Sequence, residues 1–224
     1  MYEFNLRAIY PYLDQLPPAI LRTVELTALT IVLSMVLGIA VALLRQGRSR
    51  GGRLLGGVYV EIVRNMPIVV LVYLIYFGLP ELGWSPSGFV CALIAMTLNS
   101  ASFMTEIFRA GLIAVPRGQY EAARSQGMTW WQMFRYVILP QILRVTYAPL
   151  GNQLIGVIMA SSIASVITVE EVTAWMTNTG AVTYRYFETF AIAAVVYLAL
   201  CQLTNVCRVV LGRYVFRDAA GGRW

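Results

Sequence analysis

The sequence predicts an all-α membrane protein with five transmembrane helices, a reading carried by composition, by apolar runs and by where the charges fall. Of 224 residues, 58% are hydrophobic, and the mean hydropathy of +0.67 is too high for an ordinary soluble domain of this length. Crossing the hydrocarbon as a helix takes about 20 predominantly apolar residues. Five stretches are long enough: 19–44, 57–79, 88–114, 139–162 and 188–211. The basic residues cluster in the segments between them, and no internal repeat or linker divides the chain, so residues 1–224 read as a single transmembrane domain.

The first stretch opens with Arg22 and Glu25 and then runs uninterrupted through LTALTIVLSMVLGIAVALL. The second carries Glu61 and Arg64, breaks at Asn65-Met66-Pro67 and is wholly apolar from Ile68. Pro67 should kink the span or begin its deeply buried part. In the third stretch Asn99, Ser102 and Glu106 follow at spacings of three and four. They share one helical face, which should point at protein rather than lipid. The fourth is interrupted by Pro140, Pro149, Gly151 and Gly156, breaks that a span tolerates where neighbouring helices resatisfy the backbone. The fifth is a smoother apolar run. Before it lies a long loop, 165–187, with Glu170, Glu171, Trp175 and Tyr184, of the kind that hosts function, whereas 80–87 is a short turn.

Arginine sets the expected orientation. Arg45, Arg48, Arg50 and Arg53 crowd the first loop, Arg117, Arg124 and Arg135 the third, and Arg208, Arg213, Arg217 and Arg223 the C-terminal end; the other side holds Arg7, Arg22 and Arg185. The positive-inside rule then places the N-terminus outside and the C-terminus in the cytoplasm, as an odd number of spans requires. Residues 1–15 are mixed, with Glu3, Arg7 and Asp14, and do not read as a cleavable signal peptide, so the first span is expected to serve as its own insertion signal.

The formal charge of +6 rests on 17 arginines, with no lysine and no histidine. A phosphate-binding P-loop needs a lysine, so ATP chemistry is expected on another polypeptide. Without histidine there is no Ser-His-Asp triad, no H-E-x-x-H zinc site and no imidazole relay, and neither a catalytic nor a metal site is expected. Arginines dispersed between apolar spans do not make a nucleic-acid surface. Cys91, Cys201 and Cys207 lack C-x-x-C spacing and read as small buried hydrophobes.

The third loop reads VPRGQYEAARSQGMTWWQMFRYVILPQ. Pro116 and Gly118 end the third span, Gln119 to Gln126 are good helix formers with Glu121 near the start, and Gly127 can take the left-handed conformation that stops a helix. Thr129 and Gln132 form a capping-box pattern that starts the next helix, with Trp130 and Trp131 at interface depth. A short helix over about 119–127 with small Ala122 and Ala123 suits insertion into another protein's groove; an interfacial helix lying on lipid satisfies the same physics.

The order Glu121-Ala122-Ala123, three residues, Gly127, nine residues, then Val137-Ile138-Leu139-Pro140 resembles the EAA loop of ABC importer permeases, with Val137 where isoleucine is usual. The likeness extends to Glu61-x-x-Arg64-Asn65-x-Pro67 with Tyr76-Phe77-Gly78-Leu79-Pro80, and to Thr105-Glu106-x-x-Arg109-Ala110-Gly111 leading into Val115-Pro116-x-Gly118-Gln119, as in permeases for polar amino acids. The resemblance implies a type I importer fold in the bacterial inner membrane. It also implies a second permease subunit, identical or homologous, an extracytoplasmic binding protein, an amino-acid substrate and a separate ATPase that binds ATP and magnesium. Glu121, Ala122, Ala123 and Gly127 would then form the coupling helix that docks on the ATPase. One departure stands out: where such permeases commonly carry Lys-Asp/Asn-Thr/Ser-Ser-Leu, this chain has Met159-Ala160-Ser161-Ser162-Ile163.

Glu61, Arg64, Glu106 and Arg109 lie at or near membrane depth and should be paired, as a structural clamp or in contact with substrate; a link from Arg64 to Glu106 is one possible pairing. Asn99, Ser102, Asn152, Gln153, Ser161, Ser162 and Glu170 are candidates for the translocation path, Glu170 reading either as an ammonium ligand or as a solvated loop carboxylate. Two other classes remain at this point. An ion-coupled secondary transporter or channel would show paired broken helices in two inverted halves, and only the fourth stretch is heavily broken. A membrane enzyme using Glu106 or Glu170 as a base would lack a nucleophile and base constellation.

Overall fold

The computed structural model describes residues 4–215; Glu3, Arg217 and Arg223 lie outside the described residues. Two short 3-10 turns, Leu6–Ala8 and Tyr10–Gln15, lead into α1 (Leu16–Gln46), followed by α2 (Arg50–Arg64), α3 (Ile68–Glu81), α4 (Gly88–Ala114) and α5 (Arg117–Ser125). A single turn, α6 (Trp130–Gln132), passes through a π-helical turn at Met133–Ile138 into α7 (Leu139–Ala160); a 3-10 turn at Ser161–Ile167, α8 (Val172–Thr183) and α9 (Tyr186–Val215) complete the chain. Among the described residues, four continuous stretches are long and apolar enough to cross a membrane, and the bent pair α2 and α3 is a fifth only when the two are counted as one span.

The centre is the seam between α1 and α4, the most extensive helix contact in the molecule. On α1 the buried residues are Ala19, Thr23, Leu26, Thr27, Thr30, Ser34, Gly38 and Ala42, nearly all small and, apart from the adjacent Leu26 and Thr27, at spacings of three and four. Three of the four hydroxyls are satisfied locally, Thr23 Oγ1 donating to the Ala19 carbonyl at 3.0 Å, Thr27 Oγ1 to that of Thr23 at 2.8 Å and Ser34 Oγ to that of Ile31 at 3.1 Å, while the buried Thr30 Oγ1 has no hydrogen-bond partner among the described residues. Across the seam Thr105 Oγ1 reaches the Gly38 carbonyl at 3.3 Å. Where lipid competes for every apolar side chain, small residues hold helices together by letting backbones approach. At Gly38 the approach is complete, since a Cβ there would sit 2.9 Å from that of Met104.

The stretch 57–79, expected as one span, is two helices that meet at a 107° bend. Asn65 caps α2, its amide donating to the Glu61 carbonyl at 2.7 Å, and Pro67 opens α3. The proline ring restricts Met66 to extended backbone, so the helix cannot run through. α2 is amphipathic, with Gly56, Val60 and Val63 buried and its charges outward, and lies against α1 and α4. α3 is apolar up to its last residue, Glu81, and its length of about 21 Å falls short of the roughly 30 Å hydrocarbon thickness.

α7 packs on α4 where Gly111 faces Ile142 and Thr146. Pro140 lacks an amide hydrogen and its ring crowds the carbonyl four residues back, which accounts for the widened turn at Met133–Ile138 just before it. α9 leans on α7 and α8, and most of its other side chains, among them Leu198, Leu203 and Val206, face outward. Cys91 is buried as expected, whereas Cys207 lies on that exposed face of α9.

At the end of the bundle away from the arginine-rich loops, α8 and the N-terminal turns are tied down by buried polar groups. Trp175 Nε1 donates to the Tyr12 carbonyl at 2.9 Å, and the Asn5 amide donates to Glu188 Oε1 at 3.0 Å. Substituting Gly38 by valine should therefore loosen the α1–α4 seam at a cost of about 1–3 kcal/mol. Gly57→Val, at a position with nothing within 4 Å, should not. Denaturant midpoints of the two detergent-solubilised variants check this contrast.

Candidate functional site

The loop between α4 and α7 is built as a rigid projection. α5 ends in a Schellman arrangement: Gly127 adopts φ +72°, its amide donates to the Arg124 carbonyl at 2.9 Å, and the Met128 amide donates to the Ala123 carbonyl at 3.2 Å. The capping box follows at once, with the Gln132 amide donating to Thr129 Oγ1 at 3.3 Å and the Thr129 amide to Gln132 Oε1 at 2.8 Å. Trp130 and Trp131 are exposed and stack on Phe134 at centroid distances of 5.3 and 6.0 Å.

Below α5 lies its own small core: Val115, Ala123, Met133, Ile138 and Ile142, with Tyr120 and Met128 packed against them. This divides the two alanines, which were expected to act alike. Ala123 is 4% exposed and faces Met133 and Ile138, so it anchors α5 to the helices and offers no surface to a partner. Glu121, Ala122 and Gly127 are exposed.

Behind the loop, Glu106 sits between two guanidiniums. Arg109 donates to its Oε2 through Nε at 2.9 Å and Nη2 at 2.6 Å, and Arg45, from the last turn of α1, pairs with Oε1. The Arg45 stem is steered there by Gly56, where a Cβ would lie 2.7 Å from Arg45 Cγ. The link from Arg64 to Glu106, one of the possible pairings, does not form. Arg64 closes α2 just before the bend, and its guanidinium lies over the Phe103 ring at 5.0 Å. Glu61, exposed, accepts from Asn65 Nδ2 at 3.0 Å. Sequence reasoning treated Arg45 only as an orientation charge, because nothing local says that the end of α1 lies beside Glu106.

Arg64, Phe103, Glu106, Pro149 and Gln153 line a groove of about 280 Å³ between α4 and α7, which brings together Arg64, Glu106 and Gln153 from the residues picked out by sequence. The other candidates are scattered. Asn99 is half-buried and Asn152 exposed. The hydroxyls of Ser102, Ser161 and Ser162 donate to the carbonyls of Asn99, Ile158 and Met159 at 2.6, 2.7 and 2.8 Å, so each is engaged with its own helical segment.

Glu170 lies at the opposite end, exposed in a cleft of about 450 Å³ shared with Asp14, Arg22, Trp175 and Asn178. Its neighbour Glu171 is the structurally committed carboxylate. Glu171 is fully buried, caps α8 by accepting from the Ala174 amide at 2.9 Å, and accepts from the Tyr197 hydroxyl at 2.6 Å. Thr173 Oγ1 meets the same hydroxyl at 2.9 Å, and the Val172 amide donates to Thr23 Oγ1 at 3.2 Å, joining α8 to α9 and α1. Burial pushes the Glu171 carboxyl above its usual range, outweighing the hydrogen bonds that lower it. No sequence signal separates two adjacent glutamates before the start of α8 is known.

The family of binding-protein-dependent transport system inner membrane components matches residues 20–217. The chain belongs to this family. Among its relatives, the probable amino-acid ABC transporter permease protein YckA of Bacillus subtilis (strain 168) is 34% identical over 198 residues, covering 87% of this chain and 88% of that one. The probable glutamine ABC transporter permease protein GlnM of the same organism is 36% identical over 167 residues, covering 75% and 77%. A crystal structure of an amino acid ABC transporter with histidines contains a chain that superposes with a TM-score of 0.86 at 32% identity, covering 95% of this chain and all of that one.

Two outcomes follow. Ala123→Gln should expose the loop core and increase proteolytic cleavage between residues 115 and 140, while Ala122→Gln should leave the digestion pattern unchanged. Because the folded carboxyl of Glu171 holds its proton to higher pH than an unfolded one, the stability it contributes is complete below the ordinary carboxylate range and is lost as pH rises through the raised value. Thermal scans from acid to neutral pH should therefore show a falling contribution in the parent protein that Glu171→Gln removes.

Proposed function

We propose that this chain is the transmembrane permease subunit of an ATP-driven amino-acid importer, coupled to a separate ATPase through α5. The observation that carries the proposal is the division of labour within α5. Ala123 fixes the helix onto a core shared with α4 and α7, while Glu121 and Ala122 project outward next to a glycine that ends the helix. A helix anchored in this way can pass a push from a partner to the two longest contacts of the bundle's interior without bending on its own.

The N-terminus is placed outside and the C-terminus in the cytoplasm, so that the arginine-rich loops and α5 meet the ATPase, which binds ATP and magnesium. Two permease subunits, identical or homologous, frame the path, and the groove at Arg64, Glu106 and Gln153 faces it from this subunit. Asn99 and Asn152 supply further polar groups. An extracytoplasmic binding protein delivers the amino acid to the end that carries α8 and Glu170. The amino-acid assignment draws on the printed descriptions of YckA and GlnM and on the solved amino acid transporter.

Glu121→Lys and Gly127→Trp should each cut ATP-driven uptake by at least about tenfold, corresponding to ~1.4 kcal/mol of lost coupling, while leaving the chain inserted in the membrane. Uptake by vesicles holding the whole complex is the measurement; unchanged uptake with both substitutions would remove α5 as the coupling element. Wild-type chain that transports at full rate on an ion gradient without an ATPase would overturn the reading itself.

A further inference from the structure

One charge in the groove between α4 and α7 has no counter-charge among the described residues. Arg64 ends α2, and its guanidinium lies over the Phe103 ring at 5.0 Å. Phe103 stands near the middle of α4, so the cation sits well inside the bundle's span of the membrane. The ring attracts the charge but offers no lone pair to its N–H groups. Glu61, one turn back, gives its carboxylate to Asn65, and among the described residues Arg64 joins no ion pair and donates no hydrogen bond. A guanidinium carries five N–H donors, and all are open to a ligand that enters the groove.

Glu106 lines the same groove and is not that ligand's substitute. Arg45 holds its Oε1, and Arg109 holds its Oε2 through two nitrogens. Two guanidiniums on one carboxylate leave that wall positive by one charge, and Arg64 adds a second. The groove therefore favours an anionic group. The rest of its wall is apolar, from Phe103, Ile107, Val145 and Pro149, save for Gln153 of α7. The half-buried Gln153 side chain is bonded to no other group among the described residues.

These groups define what the groove can hold. A planar fork of donors matches the two oxygens of a carboxylate. An amide carbonyl accepts from an ammonium group. A volume of about 280 Å³ is the scale of one small molecule. A lipid phosphate stays at the membrane surface and does not reach the level of Phe103.

We propose that Arg64 anchors the α-carboxylate of the transported amino acid and that Gln153 accepts from its ammonium group. Glu106 stays with its two arginines and does not touch the substrate. The assignment rests on the reading of the chain as an amino-acid permease and deepens it, because it names the substrate atoms that this subunit reads.

The test is equilibrium binding of radiolabelled glutamate, glutamine and arginine to the detergent-solubilised complex of permease and ATPase, without binding protein or nucleotide. The parent should retain at least one of the three, and the α-carboxamide of that amino acid should compete about tenfold less well than the amino acid itself. Arg64→Gln should lower affinity about tenfold and abolish the preference for acid over α-carboxamide. Gln153→Leu should weaken both ligands alike, and Arg213→Gln, exposed at the end of α9, should change neither. Arg64→Lys keeps the cation without the fork and covers a failure of Arg64→Gln to assemble; its preference should fall below the parent's. A purely structural Arg64 would lower affinity for the acid and the α-carboxamide equally. That result, retention of none of the three amino acids, or an undiminished preference in the Arg64 variants would overturn the proposal. ATP-driven uptake by the parent complex separates the two levels: uptake present alongside any of those results removes the anchor alone, and uptake absent removes the permease reading beneath it.

Discussion

Helices in a bilayer cannot be held together by hiding leucine, because the surrounding lipid is as apolar as the side chain. This constraint shapes the seam between α1 and α4, on which the rest of the bundle is assembled. The face that α1 presents to α4 is mostly threonine, serine, glycine and alanine, while Leu21, Val32, Val36 and Leu43 are left outside. Dispersion contacts between closely approaching backbones do the work, and Gly38 is where that approach is tightest. With α1 set against α4, the other elements have places to go. α2 crosses the arginine-rich end and hydrogen-bonds to α4 through the Tyr59 hydroxyl and the Leu98 carbonyl at 2.6 Å. α3 and the turn at Ser161–Ile167 close another flank, and α7 reaches α4 through Gly111.

The same economy explains how a nine-residue helix can matter mechanically. α5 is too short to be stable alone. Its order comes from the Schellman turn at Gly127, the capping box that follows, and Ala123 seated among Met133, Ile138 and Ile142. Val115 brings the end of α4 into that core and Ile142 brings α7, so the loop and the two long helices share one packed unit. A larger residue than alanine at position 123 would lift α5 off this core, whereas position 122 has no such limit.

Much of this was legible in the sequence, in proportion to how local each signal is. Hydropathy located the apolar runs, and Gly127, Thr129 and Gln132 announced the two ends of the loop's helices through chemistry confined to a few residues. What escaped was set by tertiary neighbours. Glu106 pairs with Arg45 rather than Arg64 because Gly56 lets the Arg45 stem pass, while the Arg64 guanidinium lies over the Phe103 ring. Ala122 and Ala123 look equivalent until the helix is docked. Glu170 and Glu171 differ only because one lies outside α8 and the other caps it. The serines of α4 and of the turn after α7 suggested a polar path by composition, yet a hydroxyl within reach of its own helix carbonyl is satisfied there first.

The absence of lysine gains a physical meaning from these contacts. Arg109 grips one oxygen of Glu106 with two nitrogens, Arg64 lies over a phenyl ring, and Arg208 folds over a glycine to hold an asparagine. Each use depends on a planar, delocalised cation with several donors, which an ammonium does not provide. At the other end of the bundle the roles are reversed. Glu171 and Glu188 are fully buried, and they fasten α8, the start of α9 and the N-terminal turns. Buried carboxylates need donors from the protein itself, and they obtain them from backbone amides, Tyr197 and Arg185, so that end is locked by its own chain. Exposed arginines need acceptors from elsewhere. The asymmetry of charge therefore leaves one end of the bundle self-sufficient and the other open to partners.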